Sequence, residues 1–176
     1  MTVDEFLGWE PRANGDARHE LIDGQPVAMA PPTFGHTRTI LAVLDSLRSS
    51  IVHQGLPCEA LPDGGGVRID ATTMFIPDVM VHCGERLDDE ARESSGPLIV
   101  VEVASPSTER TDLERKLIGY FQLASVRHYL IVMRDLARII HHHRRDDGAI
   151  VTSIHGHEPI TLDPPGMVLG NVFPPL

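Results

Sequence analysis

The sequence predicts an α/β (α+β) fold, a mixed β-sheet flanked by helices, in a single domain over residues 1–176. Three observations carry this. Short β-branched runs alternate with long amphipathic stretches, the pattern of strands layered against helices. No internal repeat or low-complexity linker divides the chain. With 176 residues, 41% hydrophobic and 23% charged, the chain is long enough to bury roughly 70% of its unfolded surface around one core. This composition excludes a disordered chain. No apolar stretch approaches the ~18 residues of a membrane span, and the start Met1-Thr2-Val3-Asp4-Glu5 has no basic and apolar leader, so a cytoplasmic protein without membrane contact is expected.

The elements follow in order. Thr2 and Glu5 have the spacing of a capping box, which predicts a short helix from Val3 to Trp9, ended by Pro11. Two short runs between His19 and Met29 are divided by Asp23-Gly24, a hairpin signal because both residues tolerate positive φ. From Thr37 to His53, Ile40, Leu41, Val43, Leu44, Leu47, Ile51 and Val52 recur at helical spacing, with Thr37 as cap and Gly55 as stop. Strands are expected at Leu56–Leu61, Val67–Asp70 and Phe75–His82, the first two joined by a turn at Pro62-Asp63-Gly64-Gly65-Gly66. That glycine run lacks the lysine and helix start of a phosphate loop. After a polar stretch from Gly84 to Gly96, Leu98–Ala104 reads as a central strand buried on both faces. A helix over Thr111–Ala124 follows, with Leu113, Leu117, Ile118, Phe121 and Leu123 as buried candidates. Strands at His128–Met133 and Ala137–His143 come next, and one or two short strands close the tail.

The formal net charge of −10 argues against unaided docking on a polyanion; a nucleic-acid ligand would need a local basic patch or a bridging metal. Among 15 basic residues only one, Lys116, is a lysine. Cys58 and Cys83 are too far apart for a Cys-x-x-Cys motif, and two cysteines do not make a disulfide framework.

Two acids stand out because each lies in an apolar run. Glu102 interrupts a series of valines, where a carboxylate costs several kcal/mol unless paired, protonated or bound to a cation. Asp78 sits within Ile76-Pro77-Asp78-Val79-Met80-Val81. If the two strands are neighbours, the carboxylates converge, and oxygen-only ligation suits magnesium or manganese. The alternative is a strand-end aspartate and a salt-bridged glutamate. Asp112, Lys116 and Tyr120 are spaced i, i+4, i+8 on one helical face, close after the Glu102 strand, although Asp112 and Lys116 alone would read as a surface pair.

The ordered set Glu20-Leu21-Ile22-Asp23-Gly24, His36, Pro77-Asp78, Glu102-Val103-Ala104-Ser105-Pro106-Ser107-Thr108, Asp112, Lys116 and Tyr120 resembles the bacterial restriction-endonuclease family of the Uma type, a branch of the PD-(D/E)XK nuclease superfamily. The similarity runs from about Thr2 to about His143. It implies a restriction-endonuclease-like fold, a divalent metal, Mg2+ or Mn2+, bound at Asp78, Glu102 and Val103, and Lys116 activating or orienting the attacking water. Asp78, Glu102 and Lys116 are the implied catalytic residues, with Glu20, His36, Asp112 and Tyr120 as accessories. Two departures stand out. Ala104 occupies the position of the usual lysine, so Lys116 on the next helix takes that role; and Val132-Met133-Arg134-Asp135 replaces an expected Val-Asp-Pro.

The expected function is therefore metal-dependent hydrolysis of DNA phosphodiester bonds, with Arg38, Arg110, Arg115 and Arg127 available for phosphate contacts and a homodimer suited to cutting both strands. The alternatives are a catalytically silent nucleic-acid-binding or scaffold module of the same fold, which the acidic charge favours, and hydrolysis of a smaller phosphoester. His141-His142-His143 and His155-x-His157 have period-two spacing on two adjacent strands. They read as a solvent-facing patch rather than a zinc site, because no cysteine or carboxylate completes one.

Overall fold

The computed structural model describes residues 1–9, 18–62, 65–94, 96–104 and 110–173, with the side chains of 110–112 excepted. In chain order the elements are α1 (Val3–Leu7), β1 (His19–Ile22), β2 (Gln25–Ala28), α2 (Phe34–Gln54), β3 (Cys58–Pro62), β4 (Gly66–Arg68), β5 (Met74–Phe75), β6 (Val79–Cys83), β7 (Glu93–Ser94), β8 (Ile99–Ala104), α3 (Arg110–Tyr120), β9 (His128–Met133), a 3-10 turn (Arg134–Leu136), β10 (Arg138–Arg144), β11 (Ile150–His155), β12 (Ile160–Leu162) and β13 (Met167–Leu169).

Six strands form the main sheet in the order β11-β10-β9-β8-β6-β3, and five form a second sheet in the order β2-β1-β5-β4-β7. The main sheet is mixed because β8 and β9 run parallel while its other neighbours are antiparallel. The α+β architecture of mixed sheets and few helices is the one predicted. In β8, side chains alternate between two packed faces. Ile99, Val101 and Val103 meet Val43, Leu44 and Leu47 of α2, with the β12–β13 hairpin completing that layer. Val100 points the other way, toward Tyr120 of α3, Phe75 of β5 and Val67 of β4. Glu102 has the parity of Val100, so it faces the seam between the main sheet, the second sheet and α3.

Several predicted boundaries move, each for a local reason. The capping box at Thr2 forms, with Thr2 N–H donating to Glu5 Oε2 at 2.8 Å, but the helix stops at Leu7. The Asp23-Gly24 turn forms with φ of 49° and 77°. The long helix begins at Phe34, not after Thr37, because Thr33 is the cap: its hydroxyl accepts from His36 N–H at 3.2 Å. Gly55 ends the helix in the left-handed region as expected.

The strand predicted over Phe75–His82 divides in two. Ile76 N–H donates to the Glu20 carboxylate at 2.8 Å, Pro77 has no N–H to give, and β5 and β6 enter different sheets on either side of this break. The polar stretch after Gly84 contains the two-residue β7, paired with β4. The helix after β8 ends at Tyr120 rather than Ala124: beyond it the Gln122 and Leu123 N–H groups donate to carbonyls three residues back, Gly119 and Tyr120, and Arg144 donates to the Phe121 and Leu123 carbonyls. Ile118 is 67% exposed, against its expected burial. The tail holds three short strands, β11 to β13. Cys58 and Cys83 face each other across β3 and β6 and are joined in a disulfide, a pairing for which their spacing carries no signal.

Candidate active site

The break at Ile76-Pro77-Asp78 positions the first acid. The β6–β8 ladder pairs Val79 with Val101, so one step further along both strands Asp78 comes opposite Glu102. Asp78 is 8% exposed and Glu102 8%. Asp78 Oδ2 accepts the Val103 N–H at 2.6 Å, and His36 Nε2 lies 3.0 Å from Asp78 Oδ1. The carboxylate is thereby fixed between the first turn of α2 and the edge of β8.

Glu20 arrives from β1, and Lys116 and Tyr120 arrive from α3. Lys116 Nζ lies 2.9 Å from Glu20 Oε1 and 3.1 Å from Glu102 Oε1, while Tyr120 OH donates to the same Glu102 oxygen at 2.7 Å. The ammonium also lies 5.8 Å from the centre of the Phe75 ring. Gly119 permits this close approach of α3, because a Cβ there would lie 2.5 Å from Phe75 Cε2. The lysine thus reaches the second acid from a helix, while Ala104, in the usual lysine position, packs among apolar side chains.

The electrostatics are unbalanced. Among the described residues the Lys116 ammonium answers two buried carboxylates, Glu20 and Glu102, while a third, Asp78, lies against His36. Burial pushes the Glu102 carboxyl up to about 8; Lys116 lowers it, and Asp78 and Glu20 raise it. Tyr120 is driven well above the ordinary tyrosine value by burial and by Glu102, so it remains a hydrogen-bond donor.

An oxygen-rich, net-negative cluster of this kind fits a hard divalent cation. Among the described residues no three His, Cys, Asp or Glu side chains form a complete metal cage. Magnesium does not require one, since it is commonly bound by one or two carboxylates together with water and substrate phosphate. Glu102 Oε2 makes no hydrogen bond among the described residues, whereas Oε1 is used by Lys116 and Tyr120. The Val103 side chain packs in the apolar α2 face, leaving only its main chain to contribute to such a site.

The expected site residues Glu20, His36, Asp78, Glu102, Lys116 and Tyr120 therefore converge, and Val103 touches the cluster through its N–H. Asp112 lies in the first turn of α3, but its side chain is outside the described residues, as is that of Arg110. Arg127 is paired with Asp146 at 2.5 Å and Arg115 is exposed on α3. The donors missed at the level of sequence are the N–H groups of Ile76 and Val103, which orient Glu20 and Asp78.

The histidines correct an expectation. His141 and His142 are buried, not solvent-facing, His143 and His155 are half-buried and His157 is exposed; His128, also buried, has the Pro164 carbonyl of the loop between β12 and β13 2.8 Å from its Nε2. His128 Nδ1 and His141 Nε2 are 2.9 Å apart. His142 lies on the opposite side of the sheet, stacked with Tyr129. Burial lowers His128 to about 4 and His141 to about 3, so both are neutral at pH 7.

A mixed sheet presenting two acids from adjacent strands, with a lysine brought to the second acid, is the arrangement that the sequence resemblance implies. The fold agrees: a crystal structure described as a putative nuclease belonging to DUF820, from Anabaena variabilis, superposes with a TM-score of 0.73 at 14% identity, covering 93% of this chain and 90% of that one. Residues 3–170 match the family Uma2, described as "Putative restriction endonuclease", and the chain belongs to that family. A Synechocystis relative, "Uncharacterized protein slr1290", is 32% identical over 149 residues, 84% of this chain and 76% of its own length.

Proposed function

We propose that this protein is a magnesium- or manganese-dependent endonuclease that hydrolyses DNA phosphodiester bonds. The observation that supports this most is the placing of Asp78 opposite Glu102 on adjacent buried strands, with Lys116 held between Glu102 and Glu20. Asp78, Glu102 and the main chain of Val103 would hold the divalent ion, which supplies acidification of a water and compensation of charge developing on the phosphoryl oxygens.

The chain's own residues do the positioning. Lys116, held between Glu20 and Glu102, orients the attacking water as a compact cation. Tyr120 fixes one Glu102 oxygen and directs the other away from α3. His36 and the Val103 N–H hold the Asp78 carboxylate in register with β8. Ile76 N–H does the same for Glu20.

The test is incubation of supercoiled and linear DNA with purified protein in magnesium, in manganese and in EDTA. Metal-dependent cleavage should fall by at least about 100-fold in Lys116→Ala. Lys116→Arg should lose a comparable factor, because a planar guanidinium retains the charge without the compact geometry. Cleavage that survives either substitution contradicts the assignment. Metal-dependent DNA binding without cleavage would favour a silent module of the same fold.

A further inference from the structure

A cavity of about 890 Å3 lies beside the carboxylate cluster, on the other side of the first turn of α2. Two chain segments connect them. Gly35 lines the cavity while the next residue, His36, touches Asp78. Arg134 lines it as well, directly after β9, whose Val132 and Met133 pair with Val103 and Ala104.

The lining combines two chemistries. Ala42, Ile139, Leu169 and Val172 form apolar walls, and His157 and Phe173 meet edge to face with ring centres 5.6 Å apart. Arg38 and Arg134 add positive charge, against which Glu158 is the one acidic lining residue. Arg134 is partly neutralised by Asp135 at 2.7 Å. Arg38 is exposed on α2 and makes no ion pair among the described residues. In a chain of net charge −10, this sets the Arg38 guanidinium, with Arg134 beside Asp135, on the lining of an apolar, aromatic-walled space. The volume lies within the range that accommodates small organic ligands.

We infer that this cavity is a nucleotide-binding site that takes one nucleotide of the strand being cut, its base against the His157–Phe173 wall and its phosphate at Arg38 and Arg134. The strand as source rests on the nuclease reading; the cavity chemistry does not. Withdrawing a base from a stack costs a few kcal/mol, and an apolar pocket with an aromatic wall offsets that cost. The exposed Phe34, 83% accessible one residue before Gly35, stands where a side chain could fill the space such a base leaves.

The experiment uses the full chain carrying Glu102→Gln, which removes cleavage without touching the cavity. Titration with dAMP, followed by NMR, should show saturable shifts at Gly35, Ala42 and Gly170. Arg38→Ala should weaken dAMP binding about ten-fold, the loss of one charge-assisted contact, and Ala42→Trp should abolish it by filling the space. Circular dichroism melts show whether each variant is folded, and Arg38→Ala, at an exposed position, provides the test if the larger residue unfolds the chain. In a second arm, a DNA duplex carrying 2-aminopurine is added to the same protein. A rise in emission that Ala42→Trp suppresses places the strand's own base in the cavity. Saturable dAMP binding with no rise keeps the nucleotide site and overturns the strand as its source. No saturable dAMP binding, or binding indifferent to both substitutions, overturns the site itself, whether or not the wild-type protein cleaves DNA.

Discussion

The two faces of the main sheet bury ionisable groups in opposite ways. On the α2 face, His128 and His141 meet burial by staying neutral: they bond to each other and to the Pro164 carbonyl, and their values fall to about 4 and about 3. On the α3 face, Glu20 and Glu102 share the Lys116 ammonium, Asp78 lies against His36, and burial raises Glu102 to about 8. A neutral pair is complete as it stands. A carboxylate-rich cluster attracts a cation, and this difference supports the α3 face as the place where the proposed chemistry would occur.

The largest single-residue effect on stability should come from the charged face. Glu102 has a raised folded value, so between about 4.5 and about 8 the native state binds more protons than the unfolded one. Stability contributed by its protonation is therefore present at low pH and lost as pH rises through that window, by several kcal/mol across it. In metal-free buffer the urea midpoint should fall from pH 6 to pH 9, and Glu102→Gln should flatten this dependence while raising stability at pH 9. An unchanged slope in the variant would place the surplus charge elsewhere.

The neutral face should show the reverse sign, with a comparable amplitude shared between two rings. With His128 and His141 depressed from 6.5 to about 4 and about 3, the unfolded state binds more protons as pH falls below 6.5. Their contribution is present above 6.5 and is lost by a few kcal/mol on acidification through about 4. A His128→Gln, His141→Gln double variant should therefore lose less stability between pH 6.5 and 4 than the wild type. Equal losses would mean these rings are not buried as neutral species.

The smallest effect concerns the entry to α2. Thr33→Ala removes the hydroxyl that accepts the His36 N–H, which should cost about 1 kcal/mol in chemical denaturation. It should also loosen His36 against Asp78. A wild-type midpoint in that variant would show that the cap is not what holds the turn.

What the sequence makes legible follows the same division. Glu102 within valines and Asp78 after Pro77 are visible because an acid in an apolar run is costly, and the single lysine is visible by its rarity. The fold class is legible too, since the β8 run and the α2 periodicity are long and strong. The orienting N–H groups of Ile76 and Val103 are not, because backbone donors leave no mark in residue identity. The splitting of the strand at Ile76 depends on Glu20, a residue far away in sequence. The burial of His141 goes with its contact to His128 on the neighbouring strand, which itself meets the Pro164 carbonyl, so local alternation alone reads His141 as solvent-facing.

The central claim is that Asp78 and Glu102 form one divalent-metal site. Crystals grown with manganese, with anomalous scattering measured near the manganese edge, test it most directly. The account predicts a peak contacted by carboxylate oxygens of both Asp78 and Glu102, and its loss in Glu102→Gln. Manganese bound only elsewhere, or no anomalous peak at millimolar manganese, would contradict it.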